Sequence, residues 1–231
     1  IFKLNNLLFI PCYNDIKNCE KILSEIHDVC KNNFDILVIN DGSKSKLNFN
    51  SNIFNLKIIN LKNNFGIGFC FKMAINYALV FNYKKFCRID SDGEHNPKYI
   101  ENFFKELDST DFAIGNRKIF HKEKIIKTTS KKTINHLINK LFNLNFEDYN
   151  CGMMGLGQDS MEAIKKNYLI SYPEPQIIME LCNKEFKYSV IQIYQRKRYF
   201  GDSSIDFFRG VDFILVTFFF ILNYILNRNN D

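Results

Sequence analysis

An α/β sandwich, with a mostly parallel sheet flanked by helices on both faces, is the fold class this sequence predicts. Three observations carry it. Short, continuous apolar runs recur through the first two thirds of the chain. Longer segments with helical spacing of apolar residues lie among them, and polar turn-forming residues follow each run. Continuous rather than alternating apolarity suits strands covered on both faces, as in a parallel sheet.

In order, the first run is Leu7 to Ile10. Asp15 to Cys30 follows, with Ile16, Ile22, Leu23, Ile26 and Val29 at roughly i, i+3, i+4 spacing, the mark of an amphipathic helix. Phe34 to Ile39 is the second run and Leu56 to Ile59 the third. Gly66 to Phe81 repeats the helical pattern through Phe69, Met73, Ala74, Tyr77 and Leu79. Phe86 to Ile89 is the fourth run. Pro97 then opens a third helix reaching Leu107, since proline is tolerated in a first turn. Phe112 to Ile114 is the fifth run, and no internal repeat is visible.

The chain of 231 residues is 46% hydrophobic and 24% charged, which excludes a disordered tail, a collagen-like fibre and a multi-span membrane protein. Four prolines and ten glycines leave no low-complexity linker. The seven cysteines are odd in number, form no C-x-x-C pair and lie at no zinc-ligand spacing from histidine, so a reduced, cytosolic compartment is expected. The chain opens on Ile1 rather than Met, so a few residues are expected ahead of it; no basic-then-apolar leader is read before Leu7. Abundant Asn, Ile, Lys and Phe share AT-rich codons and need no functional account. The net charge of +6 is unevenly placed: six lysines and one glutamate fall between Lys118 and Lys132, and Arg196, Lys197 and Arg198 form a second knot. Such clusters suit either a plain solvated surface or anionic lipid and phosphate; nucleic acid is not expected as a partner.

In open α/β sheets, ligands sit beyond the carboxyl ends of the strands. Those ends read Pro11 to Asp15, Asn40 to Ser43, Asn63 to Gly68, Asp90 to Glu94 and Gly115 to Arg117. Asp90 and Asp92 at a strand exit can grip a hard divalent cation from one side, with Glu94 and His95 extending the site. A plain turn is the other reading of the same residues. The segment Asn64 to Gly68 does not make a dinucleotide fingerprint, because Phe71 stands where a third glycine is needed and the segment follows the third run, not the first. No G-K-[ST] or Gly-x-Ser-x-Gly element occurs. The four histidines form no metal or nucleophile pair by spacing.

Taken together these segments resemble the family 2 glycosyltransferases, which have the GT-A fold. IPCYND and VINDGS look like that family's first and second strand exits, and NNFGIGFCFKMAINYAL like the loop and helix after its third strand. RIDSDGEHNP is similar to its D-x-D segment in the form found in enzymes like dolichyl-phosphate mannose synthase. GNR, DYNCGM, YPEP and RYFGDSSI follow in the family's order, so the resemblance runs from residue 7 to about 205. It implies a nucleotide pocket lined by Pro11, Tyr13, Asp15, Asp41 and Gly66, with Asp41 on the base. Asp90 would meet the ribose or a metal-bound water, and Asp90, Asp92 and Glu94 would hold Mg²⁺ or Mn²⁺. Arg117 would offset charge on the diphosphate. Asp15 and Asn40 depart from the family's usual Glu and Asp, which leaves the base preference open.

In the resembling enzymes, Thr128 to Phe142 would be a helix at the membrane surface. Lys131 and Lys132, with Arg198 and Ser203 of the R-x-x-G-x-S element, would face an acceptor phosphate. Residues 1–205 would form the catalytic domain and residues 206–231 an apolar helix. Phe213 to Leu226 is 14 residues with only Thr217 and Asn223 polar, short for a span and suited to a monotopic or marginally inserted helix; burial in a homo-oligomer is the first alternative and a true span the second. The implied reaction is an inverting transfer of a sugar from a UDP- or GDP-linked donor to a polyprenyl phosphate at the cytoplasmic membrane face, by a peripheral or monotopic protein. Transfer to a hydroxyl of a lipid-linked or surface glycan is the alternative, with Asp148 as its general base. A non-catalytic sugar-nucleotide-binding protein is the rival of another class.

Overall fold

The computed structural model describes residues 4–30, 33–49, 55–118, 135–136, 138–140, 144, 146–166, 172–200, 215–219 and 221–222. Lys131, Lys132, Ser203, the boundary at residues 205–206 and much of the two C-terminal helical segments lie outside the described residues.

The strands are β1 (Asn6–Cys12), β2 (Asp35–Asn40), β3 (Leu56–Asn60), β4 (Lys85–Arg88), β5 (Phe112–Lys118), β6 (Met154–Gly157) and β7 (Tyr188–Tyr194). They form one sheet in the order β3-β2-β1-β4-β6-β5-β7. Every described pairing is parallel except the two made by β6. Helices α1 (Ile16–Val29), α2 (Ile67–Val80), α3 (Ile100–Glu106), α4 (Gln158–Ile164) and α5 (Pro173–Asn183) connect them, with a short 3₁₀ turn, Pro97–Tyr99, leading into α3.

Alternation along the buried strands feeds two cores. Leu7 and Phe9 of β1 join Leu37 and Ile39 of β2 on one face, beneath Phe71, Ala74 and Ile75 of α2 and Ile177 and Ile178 of α5. Leu8, Ile10, Ile36 and Val38 point the other way, onto Ile22, Leu23 and Ile26 of α1 and Phe103 of α3. Helices therefore cover both faces, as the continuous apolar runs require. Phe9, Phe71 and Phe86 form an aromatic triangle with centroids 5.5–6.1 Å apart, edge-on or tilted, the arrangement ring quadrupoles prefer. β3 is only partly covered because it is an edge strand.

The register makes a recess in one edge. Arg88, the last residue of β4, lies opposite Phe9, while β1 continues three residues further to Cys12, opposite Asn40 of β2. On the other side, β5 pairs with β7 as far as Lys118. At about 3.3 Å per residue, the chain leaving β4 enters a notch roughly 10 Å deep, walled by β1 and β5. The antiparallel β6 starts at Met154 opposite Arg88, so the segment before it arrives at the same notch.

Of the C-terminal apolar segment, residues 215–219 and 221–222 are helical. Thr217 and Ile221 are buried, whereas Leu215, Phe218, Phe219 and Leu222 are exposed. No helix among the described residues is long and apolar enough to cross a membrane.

Gly42, after β2, has a φ of +67°, and a Cβ there would collide with the Asn63–Asn64 backbone. Gly42→Ala should therefore destabilise the protein by on the order of 1–3 kcal/mol, through strain plus displacement of the 63–66 loop. Chemical denaturation checks this, and an unchanged midpoint would contradict it.

Candidate active site

The residues singled out at the strand exits meet along one edge, and the structure gives each a partner set. On the β2 side, Asp41 is buried, and its carboxylate accepts hydrogen bonds from the backbone N–H groups of Phe65 and Gly66 at 2.8 Å each and from Asn64 Nδ2 at 2.9 Å. Asp41 thus shapes the loop that opens α2. Asn40, where the resembling family usually has Asp, donates from Nδ2 to Asn60 Oδ1 at 2.7 Å and to Ser45 O at 3.1 Å. A carboxylate has no hydrogen to give either acceptor. Tyr13 is exposed at the mouth, beside the half-buried Pro11.

Asp15 accepts from Asn18 Nδ2 at 2.5 Å and from Arg198 at 3.0 Å. The same Arg198 amine group lies 3.8 Å from Asp92 Oδ2. Arg198 belongs to the segment after β7, which is fastened along the D-x-D loop. Arg196 N–H donates to Glu94 O at 2.8 Å and Tyr199 N–H to Asp92 O at 3.3 Å. Arg196 also forks onto Glu25 of α1, at 2.5 and 3.1 Å. Asn18 reaches Phe200 O at 3.1 Å, closing the segment against α1.

Inside the notch, Arg88 donates from Nε and Nη2 to the same oxygen of Asp90, Oδ1, at 3.1 and 2.8 Å. Asp90 Oδ2 lies against Gly152, where any Cβ would overlap it. Burial alone would raise the Asp90 pKa, but the Arg88 charge, with His95 behind it, holds it below the usual carboxylate range. His95 Nδ1 is 3.7 Å from Asp90 Oδ2, and its Nε2 is 3.8 Å from Cys151 Sγ. Burial pushes His95 down to about 4, so the ring is neutral at pH 7 and makes no ion pair there.

Asp92 is the contrasting carboxylate. Desolvation and the neighbouring charges of Asp90 and Glu94 push it up to about 7, against the Glu94 N–H and Arg198, which act the other way. Its Oδ1 accepts the Glu94 N–H at 3.0 Å. The Glu94 side chain accepts from Gln195 Nε2. Among the described residues no three acidic, histidine or cysteine side chains converge as a complete metal cage. Hard carboxylates crowded enough to raise one of their own pKa values nevertheless fit a divalent cation that keeps water and phosphate in the rest of its shell.

On the β5 side, Arg117 is paired with Asp148 through Nε at 2.6 Å and Nη2 at 3.0 Å, and Nη2 also donates to Asn150 O at 2.9 Å. The fork takes both Asp148 oxygens. Asn135 reaches Glu147 O at 2.6 Å, and Asn139 holds the Phe146 backbone and the Tyr149 hydroxyl, so the helical residues 135–136 and 138–140 are laced to the segment carrying Asp148.

Arg88 and Glu174 were not among the candidates, though both are buried and joined at 2.6 Å. The available signal was an arginine inside an otherwise apolar strand run, directly ahead of D-x-D. Of the candidates, Asp15, Asp92, Glu94 and Arg198 are brought together, Asp90 is turned onto Arg88, and Arg117 and Asp148 form a pair of their own.

With this geometry in place, comparison with known proteins is specific. The model of glycosyl transferase family 2 matches residues 8–164. An undecaprenyl-phosphate 4-deoxy-4-formamido-L-arabinose transferase of Photorhabdus laumondii is 21% identical over 215 residues, which cover 88% of this chain and 63% of that protein. The chain thus spans less than two thirds of that relative. An undecaprenyl-phosphate mannosyltransferase of Micrococcus luteus is 22% identical over 167 residues, 68% of each chain. Among solved structures, glucosyl-3-phosphoglycerate synthase from Mycobacterium tuberculosis, crystallised with Mn²⁺, UDP and glucosyl-3-phosphoglycerate, superposes with a TM-score of 0.65 at 11% identity, covering 85% of this chain and 72% of that one. That likeness is one of fold, the GT-A fold. With the family model matched across residues 8–164, the chain belongs to glycosyl transferase family 2.

Proposed function

We propose that the protein transfers a sugar from a nucleotide-diphosphate donor to a polyprenyl phosphate, with inversion and with Mg²⁺ or Mn²⁺ at the D-x-D segment. The carrying observation is the acidic recess at the β4 exit, where Asp92 is crowded by like charge and faced by Arg198. The relatives named for undecaprenyl-phosphate transfer support the acceptor class, and the Mn²⁺ and UDP in the glucosyl-3-phosphoglycerate synthase crystal support the donor and the metal.

Asp92, with Asp90 and Glu94 beside it, would hold the cation, and a cation there neutralises the diphosphate leaving group. Pro11, Tyr13 and Asp15 would line the nucleotide side, and Asp41 would act by holding the Gly66 loop in place for the base. An acceptor phosphate oxygen attacks the sugar's anomeric carbon, and the bond to the diphosphate breaks with its electron pair leaving on the nucleotide. No proton need move, because a phosphomonoester with a second pKa of about 6 is already largely dianionic. The Arg117–Asp148 fork favours this acceptor over a hydroxyl, since Asp148 spends both oxygens on a guanidinium and is a poor base in that pairing. Arg198, with Lys131, Lys132 and Ser203, would hold the acceptor phosphate.

A protein working on a lipid needs a membrane contact, placed by this reading on the cytoplasmic face. The exposed stripe Leu215, Phe218, Phe219 and Leu222 supports it, because the opposite residues, Thr217 and Ile221, already pack inward.

Two results test the reading. Mn²⁺ with a sugar nucleotide should raise the parent's Tm and leave that of Asp92→Asn unmoved, with equal rises in both refuting the assignment. The rise should be larger at pH 8 than at pH 6. A carboxyl held at about 7 in the fold, against 3.8 unfolded, stabilises the protein below pH 4 and loses that contribution as pH rises through 7. The cation compensates only in the deprotonated state.

With polyprenyl phosphate in anionic vesicles, Arg198→Ala should raise the acceptor KM about tenfold and the donor KM by less. The paired change Phe218→Ser, Phe219→Ser should reduce flotation with the vesicles. A donor-only effect of Arg198→Ala, or unaltered flotation, would remove the corresponding role.

A further inference from the structure

A guanidinium in the middle of a sheet is costly unless every part of it is answered. Arg88 is 4% exposed on β4, between β1 and β6. One edge of its fork holds Asp90 Oδ1 at 3.1 and 2.8 Å, and Nη1 holds Glu174 Oε1 at 2.6 Å. Glu174 is itself buried in the first turn of α5, between Pro173 and Pro175. The Phe71 ring centroid lies 5.7 Å from the guanidinium carbon. Nothing in this arrangement lets Arg88 swing towards solvent.

Buried ion pairs are weak contributors to stability, and apolar replacements of similar volume are often tolerated equally well. The use of this one follows from where its other end points. Asp90 is the first carboxylate of the D-x-D segment, and its remaining oxygen lies in the space left by the absent Gly152 side chain. The charge count matters as much as the geometry. One cation is divided between two carboxylates, so Asp90 keeps a net negative field towards the notch. Were Glu174 neutral, Arg88 would cancel Asp90 outright.

We infer that Arg88 and Glu174 are positioning residues for the D-x-D segment. Arg88 fixes the direction of the Asp90 carboxylate, and Glu174, from the first turn of α5, draws off enough of the Arg88 charge to leave Asp90 attractive to a cation. This rests on the metal-assisted reading of the site above. It adds a residue 84 positions away in sequence, Glu174, to the groups that set the site's affinity for a divalent ion.

Glu174→Gln keeps the shape and one hydrogen bond but removes the charge. Titrating the full-length protein with Mn²⁺ alone, with free ion followed by electron paramagnetic resonance, should show affinity for Glu174→Gln reduced about five- to tenfold at a Tm close to the parent's. A role confined to stability would move the Tm and leave the Mn²⁺ affinity of the folded protein untouched, and that result overturns the proposal. Should Glu174→Gln not fold, Arg88→Lys carries the test. It keeps the charge and loses the fork, and should weaken UDP binding at saturating Mn²⁺ about fivefold; parental affinity overturns the proposal. A parent that binds no Mn²⁺ overturns the site reading and this inference together, whereas a parent that binds it beside an equally avid Glu174→Gln overturns this inference alone.

Discussion

The early exit of β4 from the sheet is the constraint on which the acidic edge depends. Because β4 stops at Arg88 opposite Phe9, with β1 and β5 running on past it, the D-x-D loop is set into the sheet rather than perched on it. That recess desolvates both carboxylates, and the charges facing each one separate their behaviour. Asp90, forked by Arg88, stays ionised. Asp92, one step outward, is left facing Asp90 and Glu94 with only partial compensation. Two aspartates a single residue apart so acquire opposite electrostatic roles, one fixed and one receptive.

Around the recess, the chain uses its own cations as struts. Arg198 spans Asp15 and the neighbourhood of Asp92, Arg196 clamps the D-x-D loop to α1 through Glu25, and Arg117 is committed to Asp148. The first two tie the segment after β7 to one from the first half of the chain, and the third joins β5 to the segment before β6. The segment after β7 is therefore held along the D-x-D loop.

Much of this was legible in the sequence. The five apolar runs of the first half match β1 to β5, and the first two helical segments match α1 and α2 to within a residue at each end, because core periodicity over a long segment is a strong signal. The third, expected from Pro97 to Leu107, is a 3₁₀ turn over Pro97–Tyr99 followed by α3. β6 and β7 were not legible. β6 is four residues, two of them glycine, and β7 is a mostly exposed strip with polar residues interleaved. Both are strands because neighbours offer them a ladder, a tertiary effect that local pattern does not carry.

The site divides in the same way. Residue identities at the strand exits gathered the candidates along one edge of the sheet, since chain direction alone puts them there. Their partners were invisible. Arg88 hides in a run otherwise apolar, Glu174 stands in a helix opening with no local reason to meet it, and Asp41 turns out to hold the Asn64–Gly66 loop. Asn40 shows a departure from family pattern explained by structure, since its amide hydrogens are both used.

The central claim, a cation and a nucleotide diphosphate held in the β4 recess, is tested most directly by a crystal of the full chain grown with Mn²⁺ and UDP. Anomalous scattering should place the manganese within coordination distance of an Asp92 oxygen, about 2.0–2.2 Å as for other small divalent ions held by carboxylate, with Asp90 still on Arg88. Manganese bound elsewhere, or UDP seated away from the Asp15, Asp41 and Asp92 edge, would contradict the account.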